Sequence, residues 1–547
     1  MIAVHGHSAA KALSTVRRTF LAAGAAMLVV AGIAAIFGGV QFSLGAVHVS
    51  VTSAPRILFQ AAVLLLLAQL SQRPLASRGL VAAIAFVLVA AVWGSPARRV
   101  GDGFEYLAMA LNLAEGQPPS LAPQDFPAVT RKTAAHEDPT WDQPAATHLR
   151  GRDGRYDFAH FWMYSLAAAP FVAGAGVLGL HPNTGFTAVN LVLVVGLCWL
   201  LVNARAGGVA ALIAMILMWW VNKAHAEIFI VCVTGSALLL SEVAPEASLL
   251  LLGLATAQMP TLAALLVAAI AVALQRHGRR VIGAALGGAA IALSCPLYYF
   301  WRLGIASPLT ETLVPYLPPV RAILTPLVDP NLGIAWFAPV LLLLAAVGAL
   351  GAVRNRDWAH VGLICIGAGA ILVAGTQTPN VNHGGTPGMS RYGLWLLGLM
   401  LPLAVRGEHL AASTRPIAYA TAVGMTVLFS AVTLHPRFGD AGAQPSPSGL
   451  AAIVWEKAPF LDNPLPEVFA ERVEHLDGFA PVPVATARCE KALIVGTGTD
   501  VLWPPQCEPR RPPGECVQRE TLCYANGTIF TPAPKQPGFR TLVRIPQ

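Results

Sequence analysis

Charged residues are scarce in this sequence. Asp, Glu, Lys and Arg make up 12% of the 547 residues, whereas hydrophobic residues make up 55% and the mean hydropathy is +0.60. This composition excludes a soluble enzyme and predicts a polytopic membrane protein. The net charge of +8 does not indicate nucleic-acid binding, because the basic residues interrupt hydrophobic runs instead of forming one basic face.

Nucleotide-binding motifs are missing as well. Neither a P-loop nor a GxGxxG element stands at a strand-to-helix turn, and the connections predicted to face the cytoplasm are short and mostly basic. If the protein uses a donor substrate, that donor is therefore not expected to be a soluble cytoplasmic nucleotide.

Long apolar runs predict the fold class. The run 248–275 is too long for one ordinary span and is broken at Gln258 and Pro260, so it predicts two short helices. Other windows long enough to cross about 30 Å of hydrocarbon lie near residues 19–40, 56–72, 79–95, 186–203, 207–222, 227–242, 280–296, 332–352, 360–376, 391–405 and 416–433. Together they predict an all-α fold with about 13 transmembrane segments.

Basic residues predict the orientation of these segments. With the N-terminus inside, the positive-inside rule is obeyed by Lys11, Arg17, Arg18, Arg73, Arg78, Arg205, Arg276, Arg279, Arg280, Arg354, Arg356, Arg406 and Arg415. The apolar segment 158–180 is predicted to be an interfacial helix, since counting it as a span would place Arg205 outside and Lys223 inside. The loop 95–158 and the C-terminal region are then extracytoplasmic.

Three domains follow from this pattern. Residues 1–78 are predicted to form a transmembrane hairpin, residues 79–435 a transmembrane core that includes the loop 95–158, and residues 436–547 an extracytoplasmic module. The stretch KALIVGTG (491–498) is typical of a strand and a turn, which predicts a small α+β fold for the C-terminal module.

The cysteines of the C-terminal module predict disulfides. Cys489, Cys507, Cys516 and Cys523 form an even set in a Pro-rich polar segment that is predicted to face an oxidising compartment. Three pairings of these four residues are possible. A zinc site is the alternative, but the segment has neither a CxxC pair nor a nearby histidine.

Several motifs together resemble one family. The chain is similar to the GT-C superfamily of membrane glycosyltransferases, in a bacterial branch, over roughly residues 80–435. The resemblance is carried by GDGFEYLAMALNLAEG (101–116), YDFAHFWMYSLAAAPF (156–171), WWVNKAHAEIF (219–229), PLYYFWRLG (296–304), DPNLGIAWFAPVLLL (329–343) and NHGGTPGMSRYGLWLLGLMLP (382–402).

The resemblance implies both a location and a reaction. The protein is expected in the bacterial inner membrane, with its active site and C-terminus on the periplasmic side. The donor would be a polyprenyl-phosphate sugar held among the membrane lipids. The acceptor would be an envelope lipid, glycan or protein, and no nucleic-acid partner is expected. Such chemistry needs a carboxylate near the acceptor, together with positive charge, a metal or amide donors near the departing phosphate.

Asp102 and Glu105 are the predicted catalytic residues. They follow a span directly, which would place carboxylates at the depth of a lipid phosphate. Asp102 is expected to accept or orient the acceptor's proton, with Glu105 as a helper or a second acid. The alternative is purely structural, because D-x-x-E before an apolar run is also the start signal of a helix with a capping box. The two interpretations are compatible.

The loop NVNHGGTPGMSRY (380–392) is the predicted phosphate site. Gly384 and Gly385 free backbone N–H groups to approach an anion beside His383, and Arg391 can hold phosphate through two donors at once. The alternative is a flexible turn followed by an arginine that extends to the interface from a helix end.

A second set of polar residues completes the predicted substrate-binding site. Lys223, His225 and Glu227 are joined in this prediction by Asp157, His160 and Arg302. A divalent metal is an alternative use of this set. Residues two apart do not share a face of a helix, so His225 and Glu227 would need further ligands such as Asp102, Asp157 or His160. Ordinary interfacial hydrogen bonding is the other alternative, and for Arg302 an aromatic belt.

Two other function classes fit a polytopic protein. A transporter or flippase of lipid-linked glycans usually places polar residues near the bilayer midplane and shows internal repeats, whereas these spans are nearly uncharged and no half is repeated. A scaffold that binds a polyprenyl lipid without catalysis is the third class, and the sequence alone does not separate it from an enzyme.

Overall fold

The chain divides into two compact units. The structure is a computed structural model, and it describes residues 2–37, 40–44, 47–51, 53–71, 78–93, 103–125, 149–308, 320–377, 388–434, 446–474, 483–497, 500–502, 504, 507–509, 522–527, 530–532 and 543–544. Unit 1 comprises Met1–Glu311, Ala338–Ile371 and Trp395–Ala441. Unit 2 comprises Thr312–Phe337, Leu372–Leu394 and Gly442–Gln547.

Helices make up most of the described chain, which confirms the predicted helical class. They are α1 (Ile2–Phe37), α2 (Ala54–Leu70), α3 (Arg78–Val92), α4 (Gly103–Ala114), α5 (Met163–Val177), α6 (Asn183–Asn203), α7 (Gly207–Leu217), α8 (Glu227–Leu240), α9 (Pro245–Gln258), α10 (Ala263–His277), α11 (Ile282–Leu303), α12 (Val320–Val328), α13 (Ile334–Phe337), α14 (Pro339–Arg354), α15 (Trp358–Thr376), α16 (Arg391–Thr414), α17 (Pro416–Leu434), α18 (Gly449–Lys457) and α19 (Pro466–Glu474).

Short strands interrupt this helical pattern. They are β1 (Val40–Leu44), β2 (Val47–Val51), β3 (Leu149–Arg150), β4 (Tyr156–Asp157), β5 (Val484–Ala485), β6 (Lys491–Thr497), β7 (Asp500–Leu502), β8 (Cys507–Pro509), β9 (Leu522–Asn526), β10 (Phe530–Pro532) and β11 (Val543–Arg544). Strands β1 and β2 form an antiparallel hairpin between α1 and α2, and β3 pairs with β4 in the loop that precedes α5.

Among the described residues, four helical segments are long and apolar enough to cross a membrane, namely Ser14–Ile36, Asn183–Asn203, Pro260–Leu303 and Arg391–Thr414. The same residues include eight shorter apolar helices. Large apolar side chains on several helices are more than half exposed, which suits contact with lipid rather than water; examples are Val267, Leu286, Leu293, Leu343, Met425 and Phe429. These features indicate a membrane protein, while the count of about 13 spans stays a prediction.

The predicted break in the run 248–275 is present. Helix α9 ends at Gln258, a 3-10 turn covers Pro260–Leu262, and α10 begins at Ala263. Proline lacks the N–H group that a continuous helix would use, so the chain restarts its hydrogen-bond pattern there.

Helices α7 and α8 form the centre of unit 1. Every residue of α7 is buried, and most of α8 is as well. At the start of α7, the buried carboxylate of Glu408 accepts the backbone N–H groups of Gly208 (3.0 Å) and Val209 (2.8 Å). These are two of the N–H groups that a helix N-terminus leaves without a partner, and a carboxylate there also interacts favourably with the helix dipole.

Helices α9 and α11 cross at a pair of glycines. A Cβ atom added at Gly253 would lie 2.4 Å from the carbonyl oxygen of Gly288, and one added at Gly288 would lie 2.6 Å from that of Leu249. The two backbones therefore approach closely, as small residues permit in membrane helix packing.

An ionic network joins several helix ends in unit 1. Arg276, at the end of α10, pairs with Glu242, which follows α8, and also approaches Asp357 at 3.5 Å. Arg406 pairs with Asp357 as well. Although burial opposes ionisation, hydrogen bonds from His360 and Arg406 lower the pKa of Asp357 to about 2.

Unit 2 carries the predicted strand of the C-terminal region. Strand β6 pairs antiparallel with β9 from Lys491↔Asn526 to Val495↔Leu522, and also with β5 and β7. Helices α18 and α19 pack on this sheet through Trp455 and Phe469. This agrees with an α+β fold, while the extracytoplasmic location of the module stays a prediction.

One disulfide of the C-terminal region is present. Cys489 and Cys507 are bonded, with their Cα atoms 5.8 Å apart. The sequence leaves three pairings of the four cysteines open, and this bond belongs to one of them. Cys516 and the side chain of Cys523 lie outside the described residues, so a second bridge stays a prediction.

Candidate functional site

Glu105 and His160 form a pair at the start of α4. Glu105 lies in the first turn of α4, and its side chain is 2% exposed. Its Oε2 atom accepts the backbone N–H of His160 at 3.1 Å and lies 3.0 Å from Nδ1 of the imidazole ring. The His160 side chain keeps 18% exposure. The pair therefore consists of a buried carboxylate in contact with a partly exposed imidazole.

Tyr106 connects this pair to a second one. Its ring centroid lies 5.7 Å from that of His160 and 5.7 Å from that of His225. His225 contacts Glu227 through Nδ1, and both side chains are buried. The sequence argument that these two residues do not share a helix face fails here, because α8 begins only at Glu227 and His225 precedes the helix.

Lys223 belongs to the same region. Its side chain is fully buried, its Nζ donates to Asn222 Oδ1 at 2.7 Å, and it lies 4.2 Å from the centroid of a Trp219 ring. Asn190 donates to the carbonyl oxygen of Lys223 at 2.9 Å and so holds this turn in place.

Tyr164 ties that turn back to Tyr106. The Tyr164 hydroxyl donates to Asn190 at 2.9 Å, and the Tyr164 and Tyr106 rings meet edge to face at 5.5 Å. We call Glu105, Tyr106, His160, Lys223, His225 and Glu227 the Tyr106 cluster. The cluster thus unites five predicted site residues from three separate parts of the chain.

Arg302 forms a clamp beside the Tyr106 cluster. Its Nε lies 2.8 and 2.9 Å from the two carboxylate oxygens of Asp157, and its Nη atoms contact Asp153 at 2.6 and 2.9 Å. Gly151 leaves room for this arrangement, since a Cβ atom there would lie 2.7 Å from Nη2 of Arg302. The clamp fixes the strand that leads to His160.

The two aspartates of the clamp differ in environment. The Asp157 side chain is 1% exposed and also accepts the hydroxyl of Tyr298 at 3.0 Å. Burial raises the pKa of Asp157, against the opposing attraction of Arg302. Asp153 is 42% exposed, and its hydrogen bonds with Arg302 lower its pKa. Arg302 and Asp157, both predicted to bind substrate, are therefore paired with each other in this structure.

The remaining predicted site residues are not part of the described cluster. Asp102, His383, Gly384 and Gly385 lie outside the described residues. Arg391 belongs to unit 2, where it is buried and begins α16 at 5.5 Å from the Tyr392 ring.

The described residues also bear on the metal alternative. Within the part of the chain that the structure describes, no group of three or more His, Cys, Asp or Glu side chains is placed to hold a metal ion.

Sequence reasoning missed several residues that support the site. Tyr106, Asn190, Tyr164 and Asp153 all make contacts described above, and Gln258, noted only as a helix break, accepts the backbone N–H of Tyr164 at 2.7 Å. A usable signal existed for Asn190 and Gln258, because polar side chains within apolar helices mark functional or organising positions.

Comparisons with protein-family models, with curated proteins and with solved structures find no match to this chain. The functional assignment therefore rests on the residues themselves.

Proposed function

We propose that the protein is an inverting membrane glycosyltransferase. It transfers a sugar from a polyprenyl-phosphate carrier to an envelope lipid, glycan or protein on the extracytoplasmic face. The observation that carries this proposal is the Tyr106 cluster, in which two carboxylate–imidazole pairs and the buried Lys223 lie in one region of unit 1. Polar groups of this kind are costly inside a membrane protein and accompany function.

The roles of the residues follow from the chemistry. Asp102, the residue before α4, removes the proton from the acceptor hydroxyl or amide. The acceptor then attacks the anomeric carbon, and the bond between that carbon and the carrier phosphate breaks. Cationic groups stabilise the charge that develops on the departing phosphate, and Lys223 and the imidazoles are the candidates for this role in unit 1.

A reconstitution experiment tests the proposal. Purified protein in liposomes receives a radiolabelled polyprenyl-phosphate sugar and an envelope extract, and label transferred to the extract is measured. Asp102→Asn should lower turnover by roughly 100-fold or more, because an amide is not a base at neutral pH, while donor binding persists. Asp125→Asn is the control from the same loop, where Asp125 accepts the N–H of Ala122 and pairs with Arg155.

Each outcome has a defined meaning. Normal transfer by Asp102→Asn would overturn the assignment of the base. Binding of the carrier lipid without transfer by the wild type would favour a non-catalytic scaffold, and movement of the lipid between leaflets would favour a flippase. Mass spectrometry of lipids that copurify with the protein identifies the carrier independently.

A further inference from the structure

The imidazole of His160 is held in one orientation by contacts from two helices. Glu105 of α4 contacts both its backbone N–H and its ring Nδ1, and the hydroxyl of Tyr299 on α11 donates to its carbonyl oxygen at 2.8 Å. The Tyr106 ring packs against the imidazole at a tilted angle. A histidine fixed through Nδ1 by a carboxylate uses Nε2 for its chemistry, as in other carboxylate–histidine pairs.

The described charged groups around His160 lie in pairs. Glu105 contacts the ring directly. Asp157, three residues earlier, is paired with Arg302, so their charges offset each other. On the far side of Tyr106, His225 is paired with Glu227. A carboxylate in contact with an imidazole stabilises the cation.

We propose that His160, positioned by Glu105, is the general acid that protonates the departing phosphate. This inference rests on the proposed transfer reaction. As the bond between the anomeric carbon and the phosphate oxygen breaks, Nε2 of His160 gives its proton to that oxygen, and the acceptor's proton passes to Asp102. Solvent then returns one proton from Asp102 to His160, which restores both groups. Glu105 is a positioning residue in this scheme.

The first test measures the protonation of His160 without any transfer assay. Diethyl pyrocarbonate acylates neutral imidazoles, so its rate at each histidine, mapped by mass spectrometry against pH, gives that residue's apparent pKa. Because a contacting carboxylate stabilises the imidazolium, we expect His160 to titrate at a higher pH than the exposed His409 of the same molecule. Glu105→Gln should remove that difference and leave His409 unchanged. Equal titration of the two histidines in the wild type would overturn the proposal even if the variant does not fold.

The second test asks whether His160 contacts phosphate. Farnesyl phosphate, a short prenyl phosphate, should slow acylation of His160 several-fold and leave His409 unaffected. Farnesol, which has the same chain without the phosphate, should not protect. Equal protection by farnesol, or no protection by farnesyl phosphate, would overturn the contact.

The pH dependence of transfer separates this inference from the proposed function. Turnover should fall at alkaline pH as His160 loses its proton. Glu105→Gln should move that loss to lower pH, His160→Gln should abolish it together with most activity, and His160→Lys should recover part of the activity. If Glu105→Gln transfers sugar and its turnover falls at the same alkaline pH as in the wild type, the acid role of His160 is overturned and the proposed function is not. A raised pKa and phosphate protection without any wild-type transfer would overturn the proposed function and retain the anion site.

Discussion

Asp153 and Asp157 share Arg302 as a partner but differ in burial, which separates their contributions to stability. Asp157→Asn should lower the free energy of unfolding by about 3 kcal/mol, because a buried arginine loses a buried countercharge. Asp153→Asn should cost less than about 1 kcal/mol, since its side chain is 42% exposed. Thermal unfolding of both variants in the same detergent measures the difference. Equal losses would show that the clamp does not depend on burial.

Individual residues of the site were predictable, but their partners were not. The sequence identifies Glu105, His160, His225 and Glu227 as polar groups beside apolar runs. The contact between Glu105 and His160 joins residues 55 positions apart, and the contact between Asp157 and Arg302 spans 145 positions. Such pairings depend on how helices and loops pack, which local spacing does not encode.

Helices were predictable from hydropathy because each must bury or expose a continuous apolar surface. The break at Gln258 follows from proline chemistry, and the structure places it there. The helices of the C-terminal region, α18 and α19, were not predicted individually. Each has only nine residues, too few to give a clear periodic pattern.

The close crossing of α9 and α11 gives a prediction for two glycines of one helix. Gly288→Ala should destabilise unit 1, because its Cβ would lie 2.6 Å from a backbone oxygen and the two helices must separate. Gly283→Ala on the same helix should be neutral or stabilise slightly, since nothing lies within 4 Å of its added Cβ and alanine favours helix. Thermal unfolding and the yield of monodisperse protein are the measurements. A greater loss for Gly283→Ala would contradict the close crossing.

On the scale of the whole molecule, two groups of charged side chains lie at opposite ends of α8. His225 and Glu227 lie at the start of α8, whereas Glu242 lies just beyond its end. Fourteen residues of helix separate these ends by about 21 Å. The end with Glu242 carries Arg276 and Arg406, which the positive-inside rule assigns to the cytoplasm. The Tyr106 cluster is accordingly predicted to face the opposite side.

Reporter fusions test this orientation. Fusions after residues 205, 278, 355 and 410 should give green fluorescent protein signal and no alkaline phosphatase activity, because that phosphatase folds only outside the cytoplasm. Fusions after residues 125, 224, 384 and 500 should give phosphatase activity and no fluorescence. Because both reporters are placed at every site, a negative result with one reporter is controlled by the positive result with the other. The fusion after residue 224 decides the position of α5. A fluorescent signal there would mean that Met163–Val177 crosses the membrane instead of lying at its interface, and that Lys223 faces the cytoplasm.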